Sequence, residues 1–289
     1  MHFGLNRRKN DGPGNRRFRK GMYLLPSLFT TANLAAGYYA ISQTLVGSAA
    51  EPWHFDYAAI AIGLAMVADF FDGTVARLTN TASDFGRELD SLADVVTFGV
   101  APGILAWIWG CRLLPTDMNG ELRQKLIQLG AVATFLFLAA GASRLARFNI
   151  QTNPQPSNPG RPGRKYFVGM PIPIGAACIA SIVHFQSGVT ISTWWLSAIW
   201  LAFVLALGFL MVSTWRFWSA KNLDMRSRHP FRLILPLCLL IAGIFYFSRY
   251  VLFFLALVYT LSGVLARLFY ALRRRPAVTP PPREAPDLS

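Results

Sequence analysis

Residues 56–77 read DYAAIAIGLAMVADFFDGTVAR. From Tyr57 to Ala68 the run carries no charge, and it ends in two aspartates, Asp69 and Asp72, followed by Gly73 and Arg77. About 20 predominantly apolar residues in a helix cross the ~30 Å hydrocarbon core of a bilayer, so residues 56–76 are expected to span. Working outward, seven further segments have the same character: about 22–43, 89–111, 126–147, 167–186, 191–214, 231–248 and 250–271. The expected fold is therefore an all-α integral membrane protein with eight transmembrane helices.

Composition agrees. Of the 289 residues, 53% are hydrophobic and only 15% charged, and the mean hydropathy is +0.37. Soluble domains carry about 25% charged residues, so lipid is the expected main solvent. The net charge is +14, from 28 Lys and Arg against 14 Asp and Glu. A chain this apolar offers little solvated surface for a duplex, which argues against nucleic acid and for anionic lipid or an anionic substrate. Cys111, Cys178 and Cys238 are widely spaced with no CxxC pair, and are expected to be small core residues. A basic stretch precedes the first apolar segment, as in a secretory signal. That segment is longer than a signal core and contains Pro26 and Asn33, so it is read as a retained helix, with a cleaved signal as the alternative.

Basic residues mark cytoplasmic loops. With eight spans, 24 of the 28 Lys and Arg fall on one side, leaving only Arg112, Arg123, Lys125 and Arg249 on the other. Both termini are then cytoplasmic. Residues 1–21 form a basic tail and 273–289 a Pro-rich tail, both expected to be mobile. Residues 216–230 form a cytoplasmic connection, and Trp194, Trp195, Trp200, Trp215 and Trp218 are expected largely at interfaces, anchoring helices.

Six of the 14 acidic residues, Asp69, Asp72, Asp84, Glu88, Asp90 and Asp94, fall within 26 residues. Asp69, Asp72 and Ala76 share one helical face at i, i+3 and i+7, and Gly86, Asp90 and Asp94 share another at i, i+4 and i+8. Two antiparallel helices joined by a short connection point four carboxylates at one another. Such a group repels itself unless cations neutralise it. Two divalent ions would cancel the formal charge, and an oxygen-only donor set without nearby His or Cys suits Mg²⁺ or Mn²⁺. Gly73, Ala76 and Gly86 leave room for close approach.

Asp69, Asp72, Gly73, Ala76, Arg77, Gly86, Asp90 and Asp94 spell D-x2-D-G-x2-A-R-x8-G-x3-D-x3-D. This resembles the signature of the CDP-alcohol phosphatidyltransferase family at all of its fixed positions. The resemblance implies a polytopic enzyme that transfers a phosphatidyl group from a CDP-linked lipid to an alcohol and releases CMP. It implies Asp69, Asp72 and Asp90 as metal ligands, Asp94 as ligand or general base, and Gly73, Ala76, Arg77 and Gly86 around the CDP moiety. The chemistry agrees with the residues. In-line displacement at a diphosphate gains from metal ions on the attacking and leaving oxygens, and a hydroxyl nucleophile needs a carboxylate to take its proton.

Three further segments look like the family's phosphatidylserine synthase branch. They are Leu25 to Ser27 with Thr30, Asn33 and Gly37, then Ser143 to Asn149, then Phe167 to Pro173. One departure stands out: the branch has Pro-Asn where this chain has Pro26-Ser27. The branch implies Thr30 and Asn33 on the CDP-lipid side, CDP-diacylglycerol and L-serine as substrates, a six-span core over 22–215 with two additional spans over 231–272, and a homodimer. The setting it implies is the inner membrane of a bacterium, with the active site cytoplasmic. Serine offers a carboxylate that an arginine holds bidentately. Arg144 and Arg147, i and i+3 at the end of the fourth span, are the candidates, and their place is equally explained by the side bias of basic residues. Asn149 is read as a serine contact or a helix cap. The Pro- and Gly-rich connection 150–166 is read as a substrate-covering loop or a plain linker, and His54 and His184 as poor catalytic candidates at the far end. Glycerol 3-phosphate or inositol phosphate are alternative acceptors. A divalent-cation transporter is a further alternative, disfavoured because the acids cluster at one end of apolar spans.

Overall fold

A computed structural model describes residues 13–79, 84–116, 118–150, 166–218 and 231–272. Residues 1–12, the tail 273–289, almost all of the 150–166 connection and most of the 216–230 connection lie outside them, whereas residues 13–21 of the basic tail, expected to be mobile, are helical and begin the first helix.

Helix α1 spans Pro13–Val46, α2 Trp53–Thr79 and α3 Asp84–Asp94. After α3 comes a π-helical turn, Val95–Val100, then α4 (Ala101–Trp107) and a second π-helical turn, Ile108–Arg112. Helix α5 spans Gly120–Ile150, α6 Ile172–Phe185, α7 Trp194–Val212 and α8 Phe231–Leu272. Most of each apolar segment lies in helix. Among the described residues, five stretches, fewer than the eight spans expected, are long and apolar enough to cross a membrane: Trp53–Asp72, Phe85–Arg112, Gly120–Asn149, Trp194–Val212 and Cys238–Leu268. Two helices are weaker by that measure. Helix α1 is diluted by Thr30, Thr31, Asn33, Ser42, Gln43 and Thr44, and the 14 residues of α6 rise only about 21 Å at 1.5 Å per residue.

The last element is one of the places where tertiary structure adds to the apolar reading. Phe247 interrupts α8 with φ −134° and ψ 39°. A Cβ on Gly243 would lie 3.4 Å from the Val251 side chain, although eight residues of continuous helix advance about 12 Å. The two halves of α8 are therefore folded sharply toward each other, at the position where the sequence reading divided two segments.

The fifth segment differs from the expectation of helix from residue 167. It opens as strand β1 (Tyr166–Val168), antiparallel to β2 (Arg216–Trp218), with Phe167 opposite Phe217. Gly169 then turns the chain at φ +76°, where a Cβ would sit 2.4 Å from the Met211 carbonyl oxygen, so only glycine fits. Its N–H donates to Trp215 O at 2.8 Å, and Met170 N–H donates to Leu210 O at 3.0 Å. Helix α6 starts only after Pro171, whose ψ of 142° is extended. Proline there costs little, since first-turn amides have no intrahelical acceptor.

Helix α1 packs along α2, α5 along α7, and α6 between α2 and α8. Small residues bring the helices close: Ala58, Ala59, Ala61 and Ala65 of α2 are buried together with Phe55, Ile62, Phe98, Phe137, Ile179 and Met211. Large apolar side chains such as Leu64, Phe135, Phe209 and Phe245 point outward, as expected of surfaces solvated by lipid. Two expectations change here. Trp200 is no interface anchor: it is buried, meets Trp109 edge-on at 5.0 Å and donates its indole N–H to Ala106 O at 2.9 Å. Trp194 and Trp195 are exposed. Cys111 and Cys178 are buried as expected, whereas Cys238 is exposed, on the first half of α8.

At the end of the bundle away from the aspartates, His184 of α6 is buried. Its Nδ1 lies 2.6 Å from Asp56 Oδ1 of α2, and its Nε2 2.9 Å from Ser248 Oγ, just past the break in α8. The histidine set aside as a catalyst thus ties three helices together.

Candidate active site

Asp69 and Asp72 lie near the C-terminal end of α2, and Asp90 and Asp94 on α3. Carboxylate oxygens of Asp69, Asp90 and Asp94 all lie within 4.8 Å of one another. Pairs of like charges at about 4 Å repel by roughly 4 kcal/mol at an effective dielectric near 20. Asp94 is buried, so this group calls for a cation among the oxygens. One Asp90 oxygen, Oδ1, is buried with no hydrogen-bond partner among the described residues. An oxygen-only donor set with an unpartnered lone pair fits a hard divalent ion.

Asp72 is held differently. It is 5% exposed and accepts a hydrogen bond from the Thr30 hydroxyl of α1. One turn further along α1, Asn33 is fully buried and donates its Nδ2 to Asp94 Oδ1 at 3.2 Å. Asn33 Oδ1 has no hydrogen-bond partner among the described residues. The spacing of Thr30 and Asn33, i and i+3, sets one on each acidic helix. Helix α1 is thereby the third wall of the site, and its polar composition, which weakens it as a lipid-facing span, has a purpose.

The π-helical turn immediately after Asp94 completes this wall. Thr97 donates its hydroxyl to the Asn33 backbone carbonyl at 3.1 Å. Gly37 lets the two segments touch: a Cβ there would lie 2.4 Å from Thr97 Oγ1 and 2.9 Å from its Cα. The wider π turn shifts the phase of the helix by one residue, so Asp94 faces α2 while Thr97 reaches α1. No sequence signal marked Thr97 or the turn.

Helix α5 supplies the remaining side. Asn149 donates to Ser91 Oγ at 2.8 Å, fixing the end of α5 beside Asp90. Arg144 is partly buried, its guanidinium carbon 5.7 Å from the centre of the Phe148 ring, a cation–π distance. Arg147 is exposed. The structure therefore separates the two arginines that spacing left equivalent. Gly86 sits on α3, partly buried. The side chains of Ala76 and Arg77 and the surroundings of Gly73 lie outside the described part of the structure.

Two acidic helices and a polar helix surround one group of carboxylates, with the end of α5 beside it. The CDP-alcohol phosphatidyltransferase profile matches residues 23–197, which contain every one of these residues. The chain belongs to the CDP-alcohol phosphatidyltransferase family. Among relatives of this transferase is the CDP-diacylglycerol–serine O-phosphatidyltransferase of Helicobacter pylori (strain ATCC 700392 / 26695), 36% identical over 207 residues, covering 70% of this chain and 74% of the relative. The protein of that name from Methanocaldococcus jannaschii is 31% identical over 204 residues, 71% of this chain and 81% of the relative. The one from Bacillus subtilis is 35% identical over 159 residues, 55% and 74% respectively. Family membership sets the transporter alternative aside: the transferase is a membrane enzyme.

Proposed function

We propose that the protein transfers the phosphatidyl group of CDP-diacylglycerol to the hydroxyl of L-serine, releasing CMP. The observation that carries this reading is the pairing in one site of the buried Asp94 carboxylate with a partly buried arginine, Arg144 of α5, the helix whose end Asn149 fixes beside Asp90. A hydroxyl acceptor that also bears a carboxylate is the ligand such a pair fits. The arginine would hold the carboxylate and the aspartate would face the hydroxyl. The relatives' names agree with this acceptor.

In the reaction, the serine oxygen attacks the phosphorus on the diacylglycerol side of the diphosphate. Asp94 takes the hydroxyl proton, the new P–O bond forms, the bridging P–O bond breaks, and CMP departs with that bond's electron pair. Asn33, through its hydrogen bond to Asp94, orients the carboxylate for this transfer. Asp69, Asp72, Asp90 and Asp94 would hold one or two divalent ions, Mg²⁺ or Mn²⁺. When bound, such ions stabilise negative charge on the phosphate oxygens. The family resemblance assigns Thr30, Asn33, Gly73, Ala76, Arg77 and Gly86 to the CDP-lipid, and Arg144 with Asn149 would take the serine. Because Arg147 is exposed, its part is attraction of anionic headgroups rather than serine contact.

The charge bias supports an eight-span topology with both termini and the site facing the cytoplasm of a bacterial cell. The six-span core covers 22–215, and the two additional spans over 231–272 are the two halves of α8. The homodimer belongs to the same reading. The test is CMP release by protein purified in detergent with Mg²⁺ or Mn²⁺ and CDP-diacylglycerol, comparing serine, glycerol 3-phosphate, inositol phosphate and no acceptor. Serine-dependent release is expected. Preference for another acceptor, or release independent of any acceptor, would overturn the serine assignment.

A further inference from the structure

Asn33 is held by only part of its side chain. It is fully buried, its Nδ2 donates to Asp94 Oδ1 at 3.2 Å, and its Oδ1 has no hydrogen-bond partner among the described residues. An ionised carboxylate only accepts, so the amide must turn its nitrogen toward Asp94. One hydrogen bond leaves such a side chain free to swing between rotamers unless the backbone beneath it is fixed.

Thr97 supplies the fixed point. It is fully buried and donates its hydroxyl to the Asn33 backbone carbonyl at 3.1 Å. Thr44, Thr134 and Thr260 each donate to the carbonyl four residues back in their own helix, at 2.7, 2.9 and 2.8 Å, the ordinary choice for a helical threonine. Thr97 crosses instead to α1, 64 residues away in sequence. Asn33 lies inside α1, where its carbonyl has an intrahelical donor. The Thr97 bond is therefore not needed to satisfy that carbonyl, and its effect is to locate it.

Asp94 and Thr97 thus grip Asn33 by its side chain and its main chain, from one short segment. That segment is pinned on two sides. Gly37 of α1 lies against Thr97, and on the other side a Cβ on Gly99 would lie 2.7 Å from Leu138 Cδ1 of α5, with Phe98 between them fully buried. The π-helical turn cannot drift without disturbing α1 and α5, so Thr97 anchors Asn33 rather than following it.

We propose that Thr97 is a positioning residue for the catalytic base: through the Asn33 main chain it sets where the Asn33 amide meets Asp94, and so the orientation in which Asp94 takes the acceptor's proton. This inference rests on the reading of Asp94 as the base of phosphatidyl transfer, and deepens it.

Kinetics of the full-length enzyme in detergent test it. Thr97→Val removes the hydroxyl at nearly constant volume and leaves the Asn33 carbonyl its intrahelical donor, so the thermal unfolding midpoint should move by no more than about two degrees. The kcat for CMP release should fall about threefold to tenfold, the worth of one ordinary hydrogen bond, with the KM for the acceptor and for CDP-diacylglycerol each changed less than about twofold. Thr97→Ser, which keeps the hydroxyl, should retain kcat within about twofold of wild type. Asn33→Ala removes the amide and keeps the carbonyl; in that background Thr97→Val should have no further effect on kcat, since its route of action is gone. An unchanged kcat in Thr97→Val, a Thr97→Ser as slow as Thr97→Val, or full additivity with Asn33→Ala would overturn the proposal. Should Thr97→Val fold poorly, Thr97→Ala against Thr97→Ser carries the same comparison. A wild-type rate in Asp94→Asn would remove the base and this proposal with it. If another anionic alcohol replaces serine in the wild-type acceptor profile, only the serine assignment fails, and the Thr97 series runs unchanged with that alcohol.

Discussion

Asp94 and Asn33 show how much chemistry depends on single contacts in this site. The Asn33 amide donates to one Asp94 oxygen, leaving the other carboxylate oxygen for a proton or a ligand. Asp94→Asn keeps a carbonyl for Asn33 to donate to while abolishing the base. CMP release at saturating metal is expected to fall by about 10²-fold to 10⁴-fold, the usual contribution of a positioned base, and a wild-type rate would remove Asp94 from that role. Thr30→Val tests the opposite wall. It deletes the hydroxyl that Asp72 accepts from at nearly constant volume. Hydrogen bonds to charged groups contribute about 1.5–3 kcal/mol, so kcat/KM for CDP-diacylglycerol should drop at least tenfold with little change in unfolding temperature. Of these residues the four aspartates were legible in the sequence, because i, i+3 and i, i+4 spacing is a local property of a helix. The partners were harder: Asn33 and Asp94 are 61 positions apart, and Thr30 and Asp72 are 42 apart, so only family resemblance, not spacing, pointed to Thr30 and Asn33.

At the scale of elements, two close approaches hold the site and the C-terminal helix in place. Gly37 lies against Thr97 of the π-helical turn. Gly37→Ala would force α1 and the turn apart, costing about 1–3 kcal/mol by overpacking. It would also move Asn33 from Asp94, so activity is expected to fall more than tenfold while thermal unfolding shifts only a few degrees. At the other end, His184 joins Asp56 and Ser248. His184→Ala would leave Asp56 without this partner in surroundings where its side chain is 14% exposed, a loss of about 3 kcal/mol, read as a lower unfolding midpoint. The tie itself does not depend on histidine charge. A neutral ring donates from Nδ1 and accepts from Ser248, and a protonated ring donates from both nitrogens. Apolar length located most of the helical segments, yet the π turns, the β1–β2 ribbon and the break at Phe247 left little trace. Each is a local departure from regular helix, imposed where another segment packs. Trp200 illustrates the same point: an indole in an apolar segment reads as an interface anchor, and the Ala106 carbonyl that buries it is 94 residues away.

For the molecule as a whole, the carboxylate group implies that metal removal acts on the site and not on the fold. Chelation with EDTA should abolish CMP release and leave the unfolding midpoint within a few degrees, with activity restored by Mg²⁺ or Mn²⁺. Persistent activity after exhaustive chelation would contradict the reading of Asp69, Asp90 and Asp94 as ligands. The sequence by itself determined the solvent, the helical segments, the side bias of 24 among 28 basic residues, and the two acidic faces. All of these follow from composition or from periodicity within one segment. Only the tertiary structure decided which of two arginines is partly buried, and that a polar α1 forms the third wall. Those are contacts between segments, set by the rotation and depth at which each helix packs, and a change of one residue in helical phase turns a side chain by about 100°.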